Sequence, residues 1–273
     1  MRPDSPAHAA QRAEIEALLD AEGLGDHKAA LMALVRPAIG LRTRDATAAD
    51  LAVGATRVGG EPDMPDAVAW PEGAEGPLLF VLQVRLAEVT AHDLEGRLPV
   101  DGTLSLFTDR YVDEPRVFYW PEGTVLRRRS VAEGHDPPFT ACGVDVLPEL
   151  HLPPHSSRFV GVEGPRSAPG TAARMGSTVC LPRAAFEAYW DRVWLAWRRQ
   201  QRPGDAGTVG VHQMLGYSVS DDTGEQGHDE EVLFGFDSDD RAAMEWGDVQ
   251  TVWTFIDRDA LKGLRFDEVR AAT

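Results

Sequence analysis

Lysine is nearly missing from this 273-residue chain: Lys28 and Lys262 are the only two, and arginine supplies the rest of the 27 basic side chains. Cysteine is as scarce. Cys142 and Cys180 stand far apart with no C-x-x-C pair, which argues against a disulfide framework or a zinc knuckle and leaves two reduced thiols. No run of about 18 apolar residues occurs, so no membrane-spanning helix is expected. The first residues (Met1, Arg2, Pro3, Asp4, Ser5) lack the charged start and apolar stretch of a secretory signal, and the expected location is cytoplasmic.

The motifs of common cofactor sites are lacking too. Gly59 and Gly60 have no G-x-x-x-x-G-K-[ST] or G-x-G-x-x-G frame, and Pro62 and Pro65 oppose a helix start behind them. They read as glycines that allow a tight turn before a core strand. His151 and His155 have i, i+4 spacing, but Pro153 and Pro154 keep them off a shared helical face. Against a calcium loop, Asp237, Asp239 and Asp248 take positions 1, 3 and 12, while Arg241 falls at position 5 and Ala242 replaces the turn glycine. No metal, cofactor or catalytic residue is assigned.

What the chain has in excess is negative charge: 44 acidic against 27 basic residues, a net charge of −17. Such a field repels phosphate backbones and anionic lipid, so neither direct nucleic-acid binding nor a membrane partner is expected. It keeps a protein soluble, and it also favours a cationic partner. The acidic positions Asp221, Asp222, Asp229, Glu230 and Glu231 are the candidate contacts for one. The compact basic run Arg127, Arg128 and Arg129 fits charge balancing better than a grip on nucleic acid.

Apolar spacing predicts two N-terminal helices, from His8 to Asp20 and from Asp26 to Arg36, with Pro37 and Gly40 placed to stop the second. Strands are predicted at Leu78 to Val84, Thr103 to Thr108, Arg116 to Trp120, Thr124 to Arg128, Arg158 to Val162, Val232 to Asp237 and Gln250 to Ile256. The first is apolar on both faces, as a covered central strand is, with Gln83 on the side of Leu79 and Val81. Between Pro182 and Gln200, Phe186, Trp190, Val193, Trp194 and Trp197 make one helical stripe and read as core. The expected fold is a single α+β domain over 1–273. It has a helical segment over about 8–40, a twisted antiparallel or mixed sheet, and the tryptophan-rich helix packed on that sheet.

Seven short stretches carry a resemblance. Arg57 to Pro65, then Trp70 and Pro71, then Pro77 to Val84 follow an R-x-G-G-x-P-x-x-P … W-P … P-L-x-F pattern. Next come Gly102 to Phe107 and the segment His212 to Tyr217. Last are Leu233 to Asp240, ending F-D-S-D-D, and Met244 to Val249, M-E-W-G-D-V. Ser218 and Gln250 depart from the pattern. Over about 45–270 the chain resembles the YwqG-like family, bacterial proteins of unknown function. The resemblance implies an α+β fold and, by association with immunity proteins, a non-enzymatic inhibitor of a cognate basic secreted toxin, a nuclease being one candidate.

The polar residues inside these blocks are the candidate ligand contacts: Arg57, Gln83, His212, Gln213, Asp237, Asp239 and Asp248. A histidine beside an amide can do acid–base work or orient a polar ligand, and it can equally be a hydrogen-bonded structural residue. Asp237 or Ser238 suits a cap, and Asp248 a turn. If Arg57, Gln83, His212, Asp237 and Asp248 met around one cleft, the alternative function would be a small-molecule-binding or hydrolytic protein.

Overall fold

The computed structural model describes residues 2–131, 136–154, 159–163, 178–201, 211–218, 226–248 and 250–272. Its helices are α1 (Pro6–Ala21), α2 (Gly25–Met32), α3 (Leu86–Val89), α4 (Arg183–Ala188), α5 (Leu195–Gln201) and α6 (Arg258–Lys262). A π-helical turn, Tyr189–Trp194, joins α4 to α5. The strands are β1 (Arg36–Asp45), β2 (Arg57–Val58), β3 (Asp63–Met64), β4 (Glu72–Gly73), β5 (Gly76–Pro77), β6 (Leu79–Arg85), β7 (Thr103–Thr108) and β8 (Arg116–Trp120). They continue with β9 (Arg127–Arg128), β10 (Cys142–His151), β11 (Val160–Val162), β12 (Val179–Leu181), β13 (Val211–Leu215), β14 (Glu230–Asp237), β15 (Thr251–Asp257) and β16 (Arg270–Ala272).

Ten strands form one sheet in the order β16-β15-β14-β13-β1-β10-β2-β6-β7-β8, and its neighbours are antiparallel. The fold is α+β, with the antiparallel form of the expected sheet. Its longest pairing, β1 with β10, joins the two strands that the sequence hides best. The helix expected to reach Arg36 ends at Met32, and Pro37 and Gly40 lie inside β1. Gly40 leaves room for a side chain of the next strand: a Cβ on it would stand 2.3 Å from the carboxylate of Glu149, which pairs with Ala38 two residues away.

Pro148 is tolerated in β10 because, among the described residues, that stretch has a strand on one side only; β2 reaches β10 at Cys142 alone. Side chains complete the open edge. Gln11 of α1 accepts from Leu150 N–H at 2.8 Å and donates to Pro148 C=O at 2.7 Å. Trp197 Nε1 donates to Leu150 C=O at 2.7 Å and Trp194 Nε1 to Leu152 C=O at 3.1 Å. The tryptophan helix thus docks on the end of β10, where Ile15, Leu19, Leu150, Leu152, Val193 and Trp197 share one core cluster. Trp190 is half-buried and stacks on Trp194 with ring centroids 4.3 Å apart, so the stripe is core on one flank only.

The larger core cluster runs across the sheet from Ile39 and Leu41 to Leu82, Leu104, Phe234 and Phe236, and includes Trp246. In β6 the alternation breaks. A bulge between Phe80 and Leu82 brings Phe80 opposite Phe107 and Gln83 opposite Ser105. Gln83 therefore shares a side with Phe80, and not with Leu79 as alternation predicted, because one extra residue inverts every later side chain. Among the described residues no helix is long and apolar enough to cross a membrane.

Candidate functional site

The candidate residues fall into two separate buried networks and an exposed turn. In the first, Arg57 and Gln83 face each other across β2 and β6 and converge on Asp63, a residue the motif reading passed over. Arg57 Nη1 donates to Asp63 Oδ2 at 2.8 Å, Gln83 Nε2 at 2.9 Å and Gly54 N–H at 2.8 Å, while Arg128 Nε reaches Oδ1 at 2.6 Å. Gln83 also donates to Ala55 C=O and accepts from Asp63 N–H. Asp63, Gln83 and Arg57 are at most 1% exposed. Burial alone would raise the Asp63 pKa, but Arg57, Arg128 and the Gly54 amide outweigh it and hold the carboxyl below its ordinary range.

The double glycine makes this closure possible. Gly59 and Gly60 have φ of +67° and +73°, and a Cβ on Gly59 would sit 2.3 Å from Thr140 C=O. Their role is the tight turn that returns the chain from Arg57 to Asp63.

In the second network, His212 on β13 meets Asp239, 27 residues later, with Nε2 3.2 Å from Oδ2. Asp237 N–H donates to His212 Nδ1 at 3.1 Å. Nδ1 is therefore an acceptor and Nε2 the protonated donor, so the ring is neutral and both nitrogens are occupied. A histidine in that state has no free lone pair for a substrate proton or a metal. For Asp239, burial works against ionisation, yet the His212 hydrogen bond and the Arg241 amide, among others, pull its pKa down to about 2. The neighbouring Cys142 thiol goes the other way, pushed up to about 11 by burial and by the Asp239 charge, and is no nucleophile at neutral pH.

Gln213 points to the opposite side of β13 from His212. Its Nε2 donates to Leu215 and Tyr217 C=O across a left-handed turn in which Leu215 and Gly216 have φ of +60° and +77°. Asp237 Oδ1 accepts from Thr251 Oγ1 at 3.1 Å. Asp248 is exposed on the turn that follows. The seven candidates therefore do not line one cleft: each buried one has partners within its own network or turn.

That turn, from Ser238 to Asp248, is held rigidly from below. Asp239 and Met244 exchange backbone hydrogen bonds at 2.7 and 3.0 Å, Trp246 N–H donates to Ser238 Oγ at 2.9 Å, and Thr140 N–H donates to Ala242 C=O at 2.7 Å. Asp239, Ala242, Met244 and Trp246 are buried, whereas Asp240, Glu245 and Asp248 are exposed and form no ion pair among the described residues. The result is three carboxylates on a braced loop.

The other acidic candidates fare differently. Asp221 and Asp222 lie outside the described residues. Asp229 is exposed, and Glu230 takes two hydrogen bonds from Arg270 at 2.7 and 2.6 Å. Glu231 is a correction: it is 0% exposed, bonded by Arg97 and Arg258, and presents nothing to a partner. Sequence reading also missed a buried pair on β10, Glu149 and His151, at 2.8 Å. No short motif marks Arg97, Asp63 or this pair; each acquires its neighbours through sheet topology.

Comparison with known proteins adds a family and no activity. The chain belongs to the family described as Domain of unknown function (DUF1963), whose model matches residues 56–273. No curated protein matches the chain.

Proposed function

From membership of that family, we propose that the protein is a non-enzymatic cytoplasmic binding protein whose partner is a basic protein. In the sense its resemblance to the YwqG-like proteins implies, the partner is a cognate secreted toxin such as a nuclease. The observation that carries this reading is the braced turn: Asp240, Glu245 and Asp248 project from a loop fixed by buried Asp239, Met244 and Trp246. Carboxylates held in place lose little freedom on docking, and they can stand where phosphates would lie in a cationic cleft. A net charge of −17 adds long-range attraction.

We prefer this reading to a small-molecule-binding or hydrolytic pocket because Arg57 and Gln83 bond Asp63 whereas His212 bonds Asp239 in a separate network. The test is co-purification with the product of the adjacent gene, followed by association kinetics across salt. The triple variant Asp240→Lys, Glu245→Lys, Asp248→Lys should slow association by roughly 10-fold or more at low salt. Absence of a complex, or a rate indifferent to both salt and the charge reversal, would defeat the proposal.

A further inference from the structure

Where the loop around Gly96 meets α6 and the start of β14, the structure holds a cavity of about 380 Å³, inside the roughly 300–1,000 Å³ range of small-molecule sites. Its charged lining residues are Arg97, Arg258, Lys262 and Glu231, and its apolar ones are Leu98, Leu261 and Leu264. In a chain of net charge −17 with two lysines, a cavity faced by three cations and one carboxylate runs against the composition.

The single carboxylate is already committed. Glu231 is 0% exposed; Arg97 bonds one of its oxygens and Arg258 Nε the other at 2.5 Å, so it orients the two guanidiniums and faces no ligand. Glu95 pairs with the far side of Arg97. Lys262 forms no ion pair among the described residues, whereas Lys28, the other lysine, is held by Asp20 at 2.7 Å. Desolvation lowers the Arg97 pKa, Glu231 raises it, and the charges of Arg36 and Arg258 lower it again. Arg36 itself packs over the rings of Phe159 and Tyr217, and its Nη1 is buried without a hydrogen-bond partner among the described residues. Cations gathered in this way repel one another, and a bound anion relieves them.

The apolar lining has its own signature. Leu264 follows the end of α6 with φ of +57°, a left-handed position that suits glycine; the residue is 47% exposed and is among those that line the cavity. Gly263, one residue earlier, has an ordinary negative φ of −84°. At Gly263 a Cβ would come within 2.5 Å of the Arg265 guanidinium and 3.1 Å of Asp259 C=O, so the glycine is needed there and the left-handed position falls to Leu264, whose side chain remains for contact.

We infer that this cavity is a binding site for a small organic anion, its carboxylate or phosphate head on Arg97, Arg258 and Lys262 and a short apolar body on Leu98, Leu261 and Leu264. The site is independent of the acidic turn proposed for the protein partner. Titration of the full chain with hexanoate, hexyl phosphate and hexanol, followed by calorimetry or chemical-shift perturbation, tests it. At least one anion should bind in the millimolar range or tighter, and hexanol roughly tenfold more weakly or not at all. The better of the two anions identifies the head group. Lys262→Met should lose roughly tenfold in affinity at unchanged melting temperature, and Leu264→Gly should weaken binding while the melting temperature holds or rises. Failure of both anions to bind, hexanol binding as well as they do, or Lys262→Met binding like the parent chain would each overturn the inference.

Discussion

Asp63 and Glu231 are both 0% exposed carboxylates gripped by two arginines, yet the two places they occupy are built to opposite ends. Around Asp63, Arg57 is itself only 1% exposed, with its Nε lacking a partner among the described residues, Arg128 keeps 28% of its side-chain surface, and Gln83 and the Gly54 amide fill the remaining acceptor positions. Around Glu231 the arginines keep 16% and 44% of their side-chain surface and face a cavity. The buried network fixes a backbone turn. The one at Glu231 leaves two arginines lining a cavity. The same ingredients yield structure or a site depending on whether the second side of the guanidinium is covered.

Neutralising each carboxylate breaks the comparison most directly. Asp63→Asn leaves Arg57 charged, buried and unpaired, and should cost about 3–5 kcal/mol in denaturant unfolding. A loss under about 1 kcal/mol would show that water reaches Arg57. Glu231→Gln should cost less, about 1–3 kcal/mol, because Arg97 and Arg258 can be resolvated from the cavity side. The same change should tighten binding of the anion, since one negative charge leaves the cavity lining; weaker binding would mean that Glu231 is needed to aim the guanidiniums.

Acidification sharpens it further, at a smaller scale. Asp239 has a folded pKa of about 2 against an ordinary value of 3.8, so its contribution is complete above about pH 4 and is lost as the pH falls through 2. The shift corresponds to about 2 kcal/mol by linkage. Asp63, also lowered, adds in the same direction, whereas Asp93, raised by burial, opposes it. Melting temperature should therefore fall between about pH 4 and pH 2, and Asp239→Asn should flatten that fall. An identical slope in the variant would place the acid sensitivity elsewhere.

How much of this was legible in sequence depends on distance along the chain. β7 and β8 were predicted with the observed bounds, and β6, β14 and β15 within a residue or two, because alternation or a full apolar run is a local signal. β1 and β10 were not legible: Pro37 and Gly40 read as helix stops yet lie inside β1, and the open edge of β10 at Pro148 and Leu150 is completed by Gln11, more than 130 residues away in sequence. The orientation of Gln83 failed for a different reason, a bulge that no composition announces. Motif spacing identified Arg57, Gln83, His212 and Asp239 as polar and special but could not say that each would find its partner inside the fold. For Lys262 a signal was present and went unused. In a chain with two lysines, the position of each is informative.

The family match begins at residue 56, and β1 ends at Asp45. That strand, outside the matched segment, is what β13 and β10 both pair with. Without it, the β16-to-β13 ribbon and the β10-to-β8 ribbon would be two separate rafts with bare inner margins, His212 on one and Glu149 on the other. The boundary drawn by sequence similarity thus cuts through the middle of the sheet and leaves out Arg36 to Asp45, the keel to which both halves are fastened.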